Sequence, residues 1–134
     1  MANNALAPPT RNSLFGFVTD PFSVNTYAIK RAESEYGPEM LQDRDAYRHL
    51  IGIAMLAKRQ GNKYAETVGK LHESMLPVIG APPGQTDEEK DMDTFNNVLG
   101  LEIAGKAKTD EDIFRMAREY VAAGKVRRLG TLGP

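Results

Sequence analysis

Within residues 43–59, apolar side chains recur at Ala46, Tyr47, Leu50, Ile53, Ala54 and Ala57. Only an α-helix, with about 3.6 residues per turn, gathers that spacing on one face. Asp43 is placed to cap the run and Gly61 to end it. Residues 62–75 repeat the pattern through Tyr64, Ala65, Val68, Leu71 and Met75. A connection this short folds two helices back on each other, so the sequence predicts a helical hairpin.

The remaining helices are marked by their ends. Tyr27, Ala28, Arg31, Ala32 and Glu35 permit a helix starting at Val24, and Gly37 and Pro38 stop it. Pro77, Gly80, Pro82, Pro83 and Gly84 enforce a loop. Thr86 with Glu89 then forms a capping box for a helix reaching Ala104 through Met92, Phe95, Val98, Leu99, Leu101 and Ile103. A second box, Thr109 with Asp112, opens a helix through Ile113, Phe114, Ala117, Tyr120 and Val121 that Gly124 closes. Residues 125–129 are expected to be extended and 130–134 to be a loose tail.

The expectation is therefore an all-α fold, a bundle of about five helices with the hairpin packed on the fourth. It spans residues 24–129 and is preceded by an extended N-terminal arm, residues 1–23. Pro8, Pro9, Asn12, Gly16, Asp20 and Pro21 disfavour continuous helix in the arm. Leu14, Phe15, Phe17, Val18 and Phe22 are too apolar for a free linker. They should be covered by the chain's own domain or by a protein partner that receives the arm.

Composition narrows function. A chain of 134 residues supports one core, and its 41% hydrophobic and 26% charged residues are those of a globular protein. The net charge of −1, with no basic run denser than Lys125, Arg127 and Arg128, argues against nucleic acid as a partner. The absence of cysteine removes disulfides, thiolate metal sites and a cysteine nucleophile. No signal peptide and no apolar run of about 20 residues is read, so no membrane span is expected. The location expected is the cytoplasm or a phage virion.

The chemistry-bearing residues gather in three places. Asp45, Arg48 and His49 share one face of the second helix. His72 and Glu73 come near the end of the third. Asp93, Asn96 and Asn97 fall at three- and four-residue spacing on the fourth, with Gly100 leaving room for another backbone or a ligand. In a small bundle such positions face one interior, which predicts a single pocket holding His49, His72, Glu73 and Asp93 as catalytic residues. Asp45, Arg48, Asn96 and Asn97 are the binding residues around it. Buried polar groups must be satisfied, and three arrangements do so. One is a closed structural network with Arg48 paired to Asp93 or Glu73. Another is metal-free acid and base catalysis. The third is a divalent metal, zinc or manganese, on His49, His72 and Asp93, with Glu73 as base toward its water. No Gly-x-Ser-x-Gly elbow and no glycine-rich phosphate cradle is present.

The succession Asp45-Ala46-Tyr47-Arg48-His49, then His72-Glu73, then Met92-Asp93-Thr94-Phe95-Asn96-Asn97 with Gly100 resembles a family of small helical domains. These occur in bacterial secreted and polymorphic-toxin-like proteins and in phage proteins. The resemblance covers roughly residues 42–129 and implies an all-helical fold with a shared polar site, but brings no settled reaction. Two functions follow as expectations. One is a small hydrolase-like enzyme working at the polar cleft. The other is a structural or interaction protein, such as a phage virion component, in which the cluster is scaffold.

Overall fold

A computed structural model of the chain describes the backbone of residues 16–75 and 87–127, and the side chains of residues 22–69 and 88–127. The described residues form five α-helices and no strand: α1 (Gly16–Glu35), α2 (Leu41–Gln60), α3 (Asn62–Met75), α4 (Asp87–Lys106) and α5 (Asp110–Ala122). The all-α bundle read from the periodicity is the fold. No described helix is long and apolar enough to cross a membrane.

The second helix is the axis. Its residues Ile53, Ala54, Met55, Leu56 and Ala57 are buried in succession, so this half of α2 has no solvent face and must be surrounded. All four other helices pack on it. From α1 come Val24, Tyr27, Ala28 and Ala32; from α4, Ile103 and Ala104; from α5, Ile113, Phe114, Ala117 and Val121. Arg59, at the end of α2, reaches Asp110 at the start of α5 at 3.2 Å.

Helix ends follow the chemistry of their residues. Thr109 Oγ1 accepts from the Asp112 N–H at 3.1 Å while Asp112 Oδ2 accepts from the Thr109 N–H at 3.3 Å, which completes the capping box. At the other end of α5, Lys125 donates to the Tyr120 carbonyl and Gly124 to that of Val121, with Gly124 at φ +73°. That left-handed turn is the glycine stop known as the Schellman motif. Gly61, also at positive φ, separates α2 from α3. The Thr86 cap lies outside the described residues, although α4 begins at the next position.

Three expectations change. Helix α1 begins at Gly16, so residues 16–23 are helical and not part of an extended arm; residues 1–15 lie outside the described residues. Pro21 sits in the first two turns of α1, where its missing N–H removes a single intrahelical bond and does not break the helix. Phe22 is 75% exposed, on the side of α1 away from Val24, Tyr27 and Ala28, so this aromatic is not covered by its own domain. Asp43 is the third residue of α2 and not its cap: a 3₁₀ turn over Pro38–Met40 leads the chain into the helix earlier. There its carboxylate still suits the helix dipole. Beyond α5, Lys125–Arg127 are non-helical, and residues 128–134, including the tail, lie outside the described residues.

Gly100 brings α4 onto α2. A Cβ at this position would lie 2.9 Å from Ile53 Cβ and 3.1 Å from the Leu50 carbonyl oxygen. The space foreseen there is filled by the α2 backbone. Gly100→Ala is expected to cost about 1 to 3 kcal/mol through overpacking. Gly105→Ala, on the same helix with nothing within 4 Å of its Cβ, is expected to gain about 0.5 to 1 kcal/mol. Urea denaturation of both variants checks the pair, and equal effects would contradict the contact.

Candidate functional site

The close approach at Gly100 decides what else meets across the same seam. Asp45 and His49 are one turn apart on α2, and Asp93 is two turns before Gly100 on α4. His49 Nε2 lies 3.1 Å from Asp93 Oδ1 and 3.6 Å from Asp45 Oδ2. One ligand-type atom from each residue falls within 4.8 Å of the others. Asp93 is buried, the His49 side chain is 12% exposed and that of Asp45 is 41% exposed. The site is therefore walled on the α4 side and open at Asp45.

Arg48 closes that opening. Its Nη2 donates to Asp45 Oδ1 at 2.7 Å and stands 3.1 Å from His49 Nε2. The closed-network arrangement paired Arg48 with Asp93 or Glu73; among the described residues its ion pair is with Asp45, an acid of its own helix. Arg48 and Asp45 also line an open groove between α1 and α2, together with Arg44 and the apolar Ile29, Ala32 and Leu41.

The two asparagines do different things. Asn96 is fully buried and bonds the segment after α5: it accepts from the Arg127 N–H at 2.9 Å and donates to the Arg127 carbonyl at 3.0 Å. A primary amide has the donor and acceptor of a peptide unit, so Asn96 holds the segment after α5 as a neighbouring strand would. Asn97 faces α3, where a Cβ on Gly69 would lie 3.2 Å from its Nδ2, and its Oδ1 is buried with no hydrogen-bond partner among the described residues. The backbone at His72 and Glu73 is helical, but their side chains lie outside the described residues.

A second polar network, which the sequence reading missed, joins α1, α2 and α5. Glu35 accepts from the Tyr47 hydroxyl, from Arg31 Nε at 2.9 Å and from Arg118 at 3.0 Å. Arg31 also reaches the Tyr27 hydroxyl at 3.2 Å and stacks over the Phe114 ring at 4.2 Å. Only the four-residue spacings of Tyr27, Arg31 and Glu35 were visible locally. Burial by itself would raise the Glu35 carboxyl. The Tyr47 hydroxyl and the Arg31 and Arg118 guanidiniums together outweigh it and hold the carboxyl below its ordinary value. Burial, followed by the Glu35 carboxylate beside it, pushes the Tyr47 phenol far up. Every charge here has a protein partner, which marks a structural network.

A carboxyl held lower in the folded state than in the unfolded chain adds stability above its unfolded value, and that stability is lost as pH falls through the folded value. Glu35→Gln is therefore expected to cost about 1 to 3 kcal/mol near neutral pH, the range for hydrogen bonds to a charged group. The difference from wild type should shrink once pH drops below the ordinary carboxyl value of 4.5. Denaturation curves across that range test it, and a gap independent of pH would contradict the assignment.

Among known proteins, a family model described as a domain of unknown function, DUF6973, matches residues 13–125. No curated protein and no solved structure matches the chain.

Proposed function

The chain belongs to the DUF6973 family of domains of unknown function, and from that footing we propose that its polar cluster binds a divalent cation and activates water, a hydrolase-like function. The observation that carries this reading is the spacing of Asp45, His49 and Asp93. Three ligand atoms around a tetrahedral ion with bonds of about 2.1 Å are about 3.4 Å apart. The His49–Asp93 and His49–Asp45 separations are 3.1 and 3.6 Å, on either side of that value. One imidazole with two carboxylates suits zinc or manganese, and three protein ligands leave a position for water.

Helix α3 supplies the remaining groups in this reading. Gly69 lies against both Ile53 of α2 and Asn97 of α4. Gly69 follows Gly61 by as many residues as Ile53 precedes it, and on this reading the next turn of α3 lies level with the turn of α2 that carries His49. One turn back along α4 from Asn97 is Asp93. His72 and Glu73 follow Gly69 by three and four residues along α3. His72 is proposed as a further ligand and Glu73 as the base toward the cation's water. The cation would make that water acidic enough to lose its proton near neutral pH.

The scaffold reading has one observation in its favour, the Arg48–Asp45 ion pair at 2.7 Å, which neutralises part of the cluster without a metal. Calorimetric titration of chelator-treated protein with ZnCl₂ and MnCl₂ separates the two. Equimolar binding of at least one ion is expected, weakened by about tenfold or more in Asp93→Asn, since even outer-shell changes at metal sites cost 10 to 100-fold. Glu73→Gln should keep cation binding and lose metal-dependent hydrolysis of chromogenic ester or phosphodiester substrates. If neither ion binds, and His49→Ala lowers stability by about 1 to 3 kcal/mol, the cluster is scaffold.

A further inference from the structure

We propose that Arg48 is a built-in substitute for the cation: its guanidinium holds the ligand set together when no cation is bound and leaves for the α1–α2 groove when a divalent cation binds. This rests on the cation reading of the same site and adds a control to it.

The inference starts from one atom. His49 Nε2 is 3.1 Å from Arg48 Nη2 and also 3.1 Å from Asp93 Oδ1. A guanidinium nitrogen only donates and a carboxylate oxygen only accepts. Nε2 can accept from Arg48 or donate to Asp93, but a single ring nitrogen cannot do both. With the ring proton on Nδ1, the Nε2 lone pair is offered to Arg48, and that is also the form that ligates a metal. Two electron-rich atoms, Nε2 and Asp93 Oδ1, then converge beside Arg48. A small ion of higher charge answers such a convergence better than a planar guanidinium approaching from one side.

Charge and space make the two occupants exclusive. A divalent cation would bring two positive charges to the atoms of Asp45, His49 and Asp93, where the Arg48 guanidinium brings one. Arg48 Nη2 touches Asp45 at 2.7 Å and His49 at 3.1 Å, so it stands among the atoms that would surround the ion. The exit is present as well. The Arg48 side chain is 25% exposed and lines the groove beside Arg44, so a long side chain of this kind can turn its charged head outward while its methylenes stay against the helix.

Arg48→Met keeps the stem and removes the competing charge. With MnCl₂ titrated into chelator-treated protein, Arg48→Met is expected to bind about tenfold or more tightly than wild type, within the usual range of coupling between exclusive occupants. Its melting temperature should be below that of wild type without the ion and should rise further than wild type's when the ion is saturating. Unchanged or weaker affinity, with wild type binding normally, overturns the substitute role and leaves the cation reading intact. Absence of binding in both proteins overturns both. Should Arg48→Met fail to fold, wild type labelled with ¹⁵N at arginine gives the same decision with ZnCl₂. The Arg48 side-chain resonance is expected to move toward that of a free guanidinium, and a resonance unchanged while zinc binds overturns the proposal.

Discussion

The contact on which the rest depends is the one made by a missing side chain. Gly100 lets the α4 backbone approach until a Cβ would meet Ile53 and the Leu50 carbonyl, and no other residue type permits this separation. Seating Gly100 there fixes the rotation and register of α4 on α2. Asp93, two turns or about 10 Å earlier along α4, is thereby delivered to His49 and not to solvent or to α5. The polar cluster follows from this apolar seam. Its carboxylate is buried because the helix carrying it is held too close to swing away.

Much of this was legible because periodicity and caps are local. The run through Ala46, Leu50, Ile53 and Ala57 marked the second helix, though not its place at the centre of the bundle, and the second box and Gly124 bracketed the last helix. The start of α1 was not legible: Gly16, Asp20 and Pro21 look like interruptions in sequence, yet the helix carries them, its later turns being anchored by the burial of Val24 and Tyr27. The roles of Asn96 and Asn97 were not legible for a different reason. Both share approximately the face of Asp93, but adjacent residues point about 100° apart around the helix. What fills each direction, the segment at Arg127 for one and α3 for the other, is decided by tertiary packing. The network at Glu35 is the extreme case, since Arg118 is 83 residues away.

The two polar networks use similar residues to opposite ends. At Glu35 three donors, a hydroxyl and two guanidiniums, surround one carboxylate, and the acid is held ionised by groups that can only satisfy it. Donors there exceed charges needing them, so the arrangement is complete in the absence of anything else. It joins three helices, including both ends of the described chain, and accounts for polar atoms that a bundle this small could not otherwise bury.

At His49 the balance is reversed. Two carboxylates and an imidazole nitrogen converge within 4.8 Å, and Arg48 supplies the guanidinium from the open side. A protein that needed only to tie α2 to α4 could do so with an uncharged pair, since burying charge costs more than burying an amide. Asn96 achieves such a tie a few residues away, using one neutral side chain and two hydrogen bonds. The His49 cluster, walled by α4 on one side and closed by the Arg48–Asp45 pair on the other, places charge where an amide would suffice for cohesion. Under the proposed cation reading, the asymmetry between the two networks separates a tie among three helices at Glu35 from a ligand set at His49.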